Sequence, residues 1–545
     1  MPTITIDGKQ CDFEQGQTIL QIAHANGIEI PHYCYHDGLS IVASCRICLA
    51  EVWAPNPRND NKLEPIPKLL PTCQTTAGEG QVVYTDSPKS IANQKAVMEY
   101  LLINHPLDCP VCDQAGECHL QDYSYEYGRG VSRFQESKVK QPKKDLGPHV
   151  YLYSDRCIMC TRCVRFTREV SGTAELMVEG RGNQEQIDVF PGVALDNELA
   201  SNVIDLCPVG ALLDKDFLFA QRVWFLKSTP SIDGTTAAGD NVWIEHNEGE
   251  IYRFRPRENM DVNTWWISDE IRYSWKFVHS DARLKQPKTT RFDRQVDCDF
   301  AAACQDAVDG LAGGHIAVMV SPMLTCEEAY VLAKLARQID NEATLVVGPV
   351  PREGEDKTFP GGYTIRAEKA PNARGVRRVL EAASEGGAVI SYEEFVGRLH
   401  SLEYQGLILT GNYPSDWVTD ELMSGVEGKF TVLIDTLENR LTDKVNVVLP
   451  SATWTEKAGT FENVDNRLQA FEQAIPVRDG ARQDGQIALD LAARVDGIDR
   501  AEFMNAANVR REMASEYDAL AVFETDVHYP AVEARQEAEV EVVEL

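Results

Sequence analysis

The chain has 545 residues, enough for several domains and a sizeable core. It is 43% hydrophobic and 25% charged, a globular composition, and its formal charge of −31 argues against nucleic acid and against an anionic membrane surface as partners. No stretch reaches the roughly 18 consecutive apolar residues of a membrane span, and the opening MPTITIDGKQ lacks the basic start and apolar run of an export signal. The expected compartment is therefore reducing, where closely spaced cysteines point to metal or redox chemistry rather than to disulfides.

Residues 2–7 alternate apolar and polar as a half-buried strand does, Gly8-Lys9 reads as a turn, and Cys11 to Glu14 can return as the partner strand. Thr18 to Asn26 places Ile19, Leu20, Ile22 and Ala23 on one helical face, with Gly27 able to end the helix. A cysteine loop follows: Cys34, Cys45, Cys48 and Cys73, spaced C-x10-C-x2-C-x24-C. Strand, hairpin, helix and cysteine loop is the order of a plant-type [2Fe–2S] ferredoxin. The x10 gap is longer than the x4 of that type, so the loop must differ. Cys11 reads as a small core residue, and His32 and His36 as loop groups beside the ligands.

A helix is expected over 90–102, leading into the second set, His105, Cys109, Cys112 and Cys118, spaced H-x3-C-x2-C-x5-C. Zinc accepts the same ligands and is the rival here. Cysteine sets on either side shift the weight to iron–sulfur, and His119 competes with His105 as the imidazole ligand. The stretch 123–144 is polar and basic. It reads as a solvated linker, with a basic strap near the clusters as the alternative. The third set, Cys157, Cys160, Cys163 and Cys207, is spaced C-x2-C-x2-C-x43-C, and Pro208 follows its last member. This is close to the bacterial ferredoxin run with its remote Cys-Pro, and it is the most specific single signal in the chain. The three sets account for eleven of the fifteen cysteines.

After residue 220 the pattern becomes α/β. Strands are expected over 315–320, 344–347, 406–409 and 430–434 and a helix over 327–338, which implies a mostly parallel sheet. Cys298, Cys304 and Cys326 have no ligand spacing and read as buried thiols. There is no G-x-G-x-x-G after a strand and no Walker loop, so no nucleotide or flavin site is evident on this chain. Residues 533–545, rich in Glu and Val, read as a disordered tail.

The three sets in this order resemble the large iron–sulfur subunit, the G subunit, of NADH:quinone oxidoreductase (respiratory complex I). The first 215 residues carry the match. Gly249-Glu250-Ile251, Arg255 to Asn259, Val447 to Pro450 and Glu456 to Phe461 are similar to the molybdopterin-oxidoreductase fold that follows in that family. Many relatives carry a further cluster near residue 233, but this chain has Asp233, Thr236, Asp240 and Ser268 at the matching positions. These are poor cluster ligands, so no cluster is expected there, and no molybdenum cofactor. Asp233 and Asp240 are then expected to be either exposed or paired with donors, because unpaired buried carboxylates are costly.

The resemblance implies a multidomain α/β and α+β chain. A ferredoxin-like [2Fe–2S] β-grasp domain spans 1–82, a [4Fe–4S] domain with one histidine and three cysteine ligands 83–122, and a ferredoxin-type [4Fe–4S] domain 145–215. A degenerate 4Fe–4S domain of the molybdenum type spans 221–277, a molybdopterin-oxidoreductase-like α/β domain 278–500 and an acidic C-terminal tail 501–545. It further implies an electron-transfer subunit with no catalytic site of its own. Such a subunit relays single electrons through one [2Fe–2S] and two [4Fe–4S] clusters, from a flavin- and NADH-binding partner to other iron–sulfur subunits and towards quinone. It would lie peripherally on the cytoplasmic side of the inner membrane, attached only through its partners. The rival readings are an electron-transfer subunit of a soluble NAD-linked hydrogenase or formate dehydrogenase, and a zinc-stapled scaffold with no redox role.

Overall fold

The computed structural model describes residues 1–292, 294–384, 389–401 and 403–530; the expected tail at 533–545 lies outside them. The chain divides into two compact units. The first comprises Met1–Leu226, Thr264–Glu270 and Thr358–Tyr363, and the second Lys227–Asn263, Ile271–Lys357 and the rest from Thr364.

In the first unit the N-terminal hairpin forms as the alternation predicts. Thr3–Ile6 pairs antiparallel with Lys9–Asp12 and parallel with Val82–Tyr84, which pairs antiparallel with Leu49–Asn56. Helix Ile19–Ala25 is started by a capping box: the Thr18 hydroxyl accepts from the Gln21 N–H while the Gln21 side chain reaches back to the Thr18 N–H. Gly27 follows at φ +68°, which suits a residue without a Cβ. Cys11, Ile4, Ile6, Leu20 and Ile22 bury against one another, which places Cys11 in the core. This β-grasp is followed by helix Pro88–Asn104, longer than expected, and then by the two further cysteine loops.

The stretch 123–144 is fastened to that helix. Lys138 donates to the last carbonyls, Leu102 and Ile103, at 2.7 and 2.9 Å, and Arg133 grips Glu99 with two nitrogens. The cation at the helix C-terminus both satisfies orphan carbonyls and complements the helix dipole.

The second unit is built on an eight-stranded sheet. Its order is Arg294–Asp297, Lys288–Arg291, Val447–Pro450, Phe430–Asp435, Gly406–Thr410, Ile316–Val320, Thr344–Val347 and Val389–Ile390, and the last six are parallel. Both faces are covered, which explains the unbroken apolar runs in the sequence. Ile316, Val318 and Val320 face one core with helices Cys326–Ile339, Ala373–Ala383 and Asp484–Val495, while Ala317 and Met319 face another with Phe395 and Leu422. A three-stranded antiparallel sheet, Lys227–Ile232, Asn241–Asn247 and Glu250–Pro256, precedes it. Two local expectations are revised. Cys298 is only partly buried, with its thiol on the Pro287 carbonyl at 3.7 Å, whereas Cys304 and Cys326 are fully buried. Within 501–545, helix Ala506–Glu516 buries Val509 and Met513 in the main core, so this part of the segment is packed.

Candidate metal centres

All twelve expected ligands fall in the first unit. The first set is drawn into one buried cage. Cys34, Cys48 and Cys73 are each about 2% exposed or less, and the Cys48 and Cys73 sulfurs lie 3.6 Å apart. Hydrogen bonds from the Cys45 and Cys73 thiols hold Cys34 well below the ordinary thiol range and push those two donors above it. Cys48 is lowered to about 7 by its bond with Cys73. The loop holds Ala43 at φ +50° and Arg46 at φ +59°, strained positions that bring Cys45 back towards Cys34. His32 and His36 are not on the sulfurs. His32 Nδ1 donates to the Ile30 carbonyl at 2.9 Å, and His36 accepts from the Gly38 N–H at 3.1 Å and stacks on Trp266. Burial lowers both rings to about 4.

The second set lies between the end of helix Pro88–Asn104, capped by His105, and the start of helix His119–Glu126, capped by Cys118. Cys112 and Cys118 are buried, Cys109 and His105 partly so, and His119 is exposed. Burial raises Cys112, raises Cys118 to about 11 and lowers His105, favouring the neutral imidazole that ligates metals. Gly210 abuts this set: a Cβ there would lie 2.3 Å from the Cys112 sulfur. Arg222 donates to the Cys112 carbonyl at 2.8 Å and to Pro110.

The third set shares a single apolar cavity. Cys157, Cys160, Cys163 and Cys207 line it with Leu152, Ile158, Ile187, Val209 and Leu212. Burial raises all four thiols, Cys160 to about 11. Against that burial, the backbone N–H groups of Val209, Leu212 and Ala211 act to lower the Cys207 thiol, favouring a thiolate. Among the described residues no three His, Cys, Asp or Glu side chains converge on a position for one metal ion. The thiolates of an iron–sulfur cluster are instead spread over several irons.

The third set touches both others. Arg165 Nη2 donates to the carbonyl of Cys34 in the first set and to that of Cys160 in the third. Arg156, buried beside Cys157, donates to the Gly210 carbonyl at 3.2 Å and pairs with Asp108 of the second loop at 2.7 Å. The first and second sets meet instead through Tyr33 and Tyr123, 5.3 Å between ring centres. The role of these arginines was not read from the sequence. The signal was there in Arg162, Arg165 and Glu169, which share one helical face at i, i+3 and i+7.

In the second unit, Asp233 is 1% exposed and fully paired: it accepts from the N–H and hydroxyl of Thr235 at 2.8 and 2.7 Å, and from both donors of Thr236. Thr236 and Asp240 are also buried there, and Ser268, which belongs to the first unit, is buried as well. Polar side chains meet near the carboxyl ends of the parallel strands, where such sheets bind ligands. Lys457 pairs with Glu328 at 2.7 Å and Asp484 at 3.0 Å, and Asn412 joins Asp484 to Ser451.

The fold and its cysteine sets define an iron–sulfur protein: ferredoxin-type domains joined to an oxidoreductase-type α/β domain. Residues 1–88 match a 2Fe-2S iron-sulfur cluster binding domain, 94–133 the NADH-ubiquinone oxidoreductase-G iron-sulfur binding region, and 147–213 the ferredoxin-like domain of NADH-quinone oxidoreductase subunit 3. Residues 226–276 match an NDSU1/NuoG-like 4Fe-4S domain and 381–494 molybdopterin oxidoreductase. The NADH-quinone oxidoreductase G subunit of Rickettsia felis is 28% identical over 96% of this chain and 91% of its own. The mitochondrial NADH dehydrogenase [ubiquinone] iron-sulfur protein 1 of Solanum tuberosum is 45% identical over 52% of this chain and 37% of its own. A chain from a crystal structure of NAD+-reducing [NiFe]-hydrogenase is 29% identical, covering 41% of this chain and 91% of that one, at a TM-score of 0.36. Over 96% of its length the chain is similar to G subunits of NADH-quinone oxidoreductases.

Proposed function

We propose that the chain carries single electrons in an NADH-quinone oxidoreductase, from a flavin- and NADH-binding subunit to other iron–sulfur subunits and towards quinone. Cys34, Cys45, Cys48 and Cys73 would hold a [2Fe–2S] cluster. Cys157, Cys160, Cys163 and Cys207 would hold one [4Fe–4S] cluster, and His105, Cys109, Cys112 and Cys118 the other. The observation that carries the reading is the third set, whose four cysteines line one apolar cavity. The donor chemistry fits: thiolates, one imidazole, exclusion of water and cations nearby. Bound there, the clusters supply one-electron couples. The chain's residues hold the sulfurs, keep water away and set the local charge. Arg165 and Arg156 support a spatial order in which the third set lies between the first and the second.

The part after residue 220 is read as scaffold. The pairing of Asp233 with Thr235 and Thr236, and of Lys457 with Glu328 and Asp484, supports a structural role for these residues. The domain division given by the sequence and attachment to the cytoplasmic side of the membrane through partner subunits belong to the same proposal. No helix among the described residues is long and apolar enough to cross a membrane. Iron and sulfide analysis of anaerobically purified protein is expected to give about ten of each per chain, two plus four plus four. Markedly less iron, with stoichiometric zinc and no visible absorption, would refute it.

A further inference from the structure

Helix Arg162–Glu169 begins inside the third cysteine set and turns Arg162, Arg165 and Glu169 along one face. That face lies on the loop of the first set. Arg162 donates to the Tyr35 carbonyl and Arg165 Nη1 to the Ser40 carbonyl, while Glu169 accepts from the Ser40 N–H at 2.8 Å and its hydroxyl at 2.6 Å. Arg165 Nη2 donates to Cys34 and, at 3.4 Å, to Cys160. One nitrogen therefore joins the main-chain carbonyls of two cysteines that belong to different sites.

Both guanidinium groups are more than nine-tenths buried, Arg162 at 5% and Arg165 at 8% exposure. Arginine does not deprotonate in proteins, so two permanent cations sit inside the fold. Buried charge is costly unless it is offset. Among the described residues neither arginine meets a carboxylate at ion-pair distance; Arg162 donates to the Leu206 and Tyr35 carbonyls, and the charged groups acting on it are Cys160, Cys207, the like charge of Arg165, and Cys34. The negative charge that would balance these cations is that of thiolates holding clusters.

We propose that Arg165, with Arg162 beside it, is a shared bridge between the first and third sites: it raises both reduction potentials together and provides the hydrogen-bonded path between them. This rests on the reading of both sets as iron–sulfur sites. When one electron passes, the first site is oxidised by one and the third reduced by one. Arg165 keeps its proton, and no bond is made or broken.

The test uses the full chain, purified anaerobically, with redox-titrated EPR of both sites and freeze-quench EPR of electron exchange between them. Arg165→Gln removes the charge and should lower both potentials, by roughly tenfold in each one-electron equilibrium, equivalent to about 59 mV. Arg165→Lys keeps the charge but cannot span the Ser40, Cys34 and Cys160 carbonyls. It should leave both potentials close to wild type and slow the exchange. Potentials that stay put in a fully loaded Arg165→Gln, or a shift at only one site, overturn the proposal. If Arg165→Gln loses iron, Arg165→Lys decides alone, and exchange at the wild-type rate overturns it. Absence of iron from the wild-type chain would instead overturn the assignment of the sites.

Discussion

Replacing Lys457 with methionine should unsettle the second unit more than any surface change, because it leaves two carboxylates buried without their cation. Lys457, Glu328 and Asp484 are each about 1% exposed or less. At 2.7 and 3.0 Å, and with an effective dielectric near 20, each contact represents roughly 6 kcal/mol of gross attraction. Most of that offsets the several kcal/mol per ion spent on desolvation, and removing one partner of such a group costs about 3–5 kcal/mol. For a unit of this size that corresponds to a fall in Tm of about 6–15 °C, read by calorimetry of the full chain. Burial pushes Asp484 up to about 7 even with Lys457 beside it, so the folded state binds that proton more tightly than the unfolded chain does. Stability from this group is therefore present at low pH and is lost as pH rises through about 7. The deficit of Lys457→Met should accordingly be smaller at pH 5 than at pH 8. A triple variant that also carries Glu328→Gln and Asp484→Asn should recover most of the loss, since a glutamine in place of Glu328 can still close the capping box on Thr325. A fall in Tm below about 2 °C for the single variant, or a deficit that grows on acidification, would refute the reasoning.

Gly210→Ala would place a methyl 2.3 Å from the Cys112 sulfur and 3.0 Å from Gln114 Cβ. It should cost about 1–3 kcal/mol in overpacking and weaken the EPR signal of the His105 site while sparing that of the Cys34 site; an unaltered pair of spectra counts against the placement of the second set. His105→Cys should keep a cluster but lower its potential, because a thiolate adds negative charge to the ligand shell. An unchanged potential would turn attention to His119.

The sequence alone determined the local matters. The alternation that forms strand Thr3–Ile6, the Thr18 and Thr325 capping boxes and the buried strands from Ile316 to Asp435 are each written within a few residues, and each formed. The third set, last in the sequence, is the one tied to both others by guanidinium hydrogen bonds. Only the tertiary structure decided that, because Arg165 and Cys34 are 131 residues apart and periodicity carries no information at that range. The same holds for Lys457, an ordinary charged residue in sequence. It becomes the centre of a buried network only when strand ends and helices from residues 328 to 484 converge, and there the cost of an unpaired charge dictates its partners.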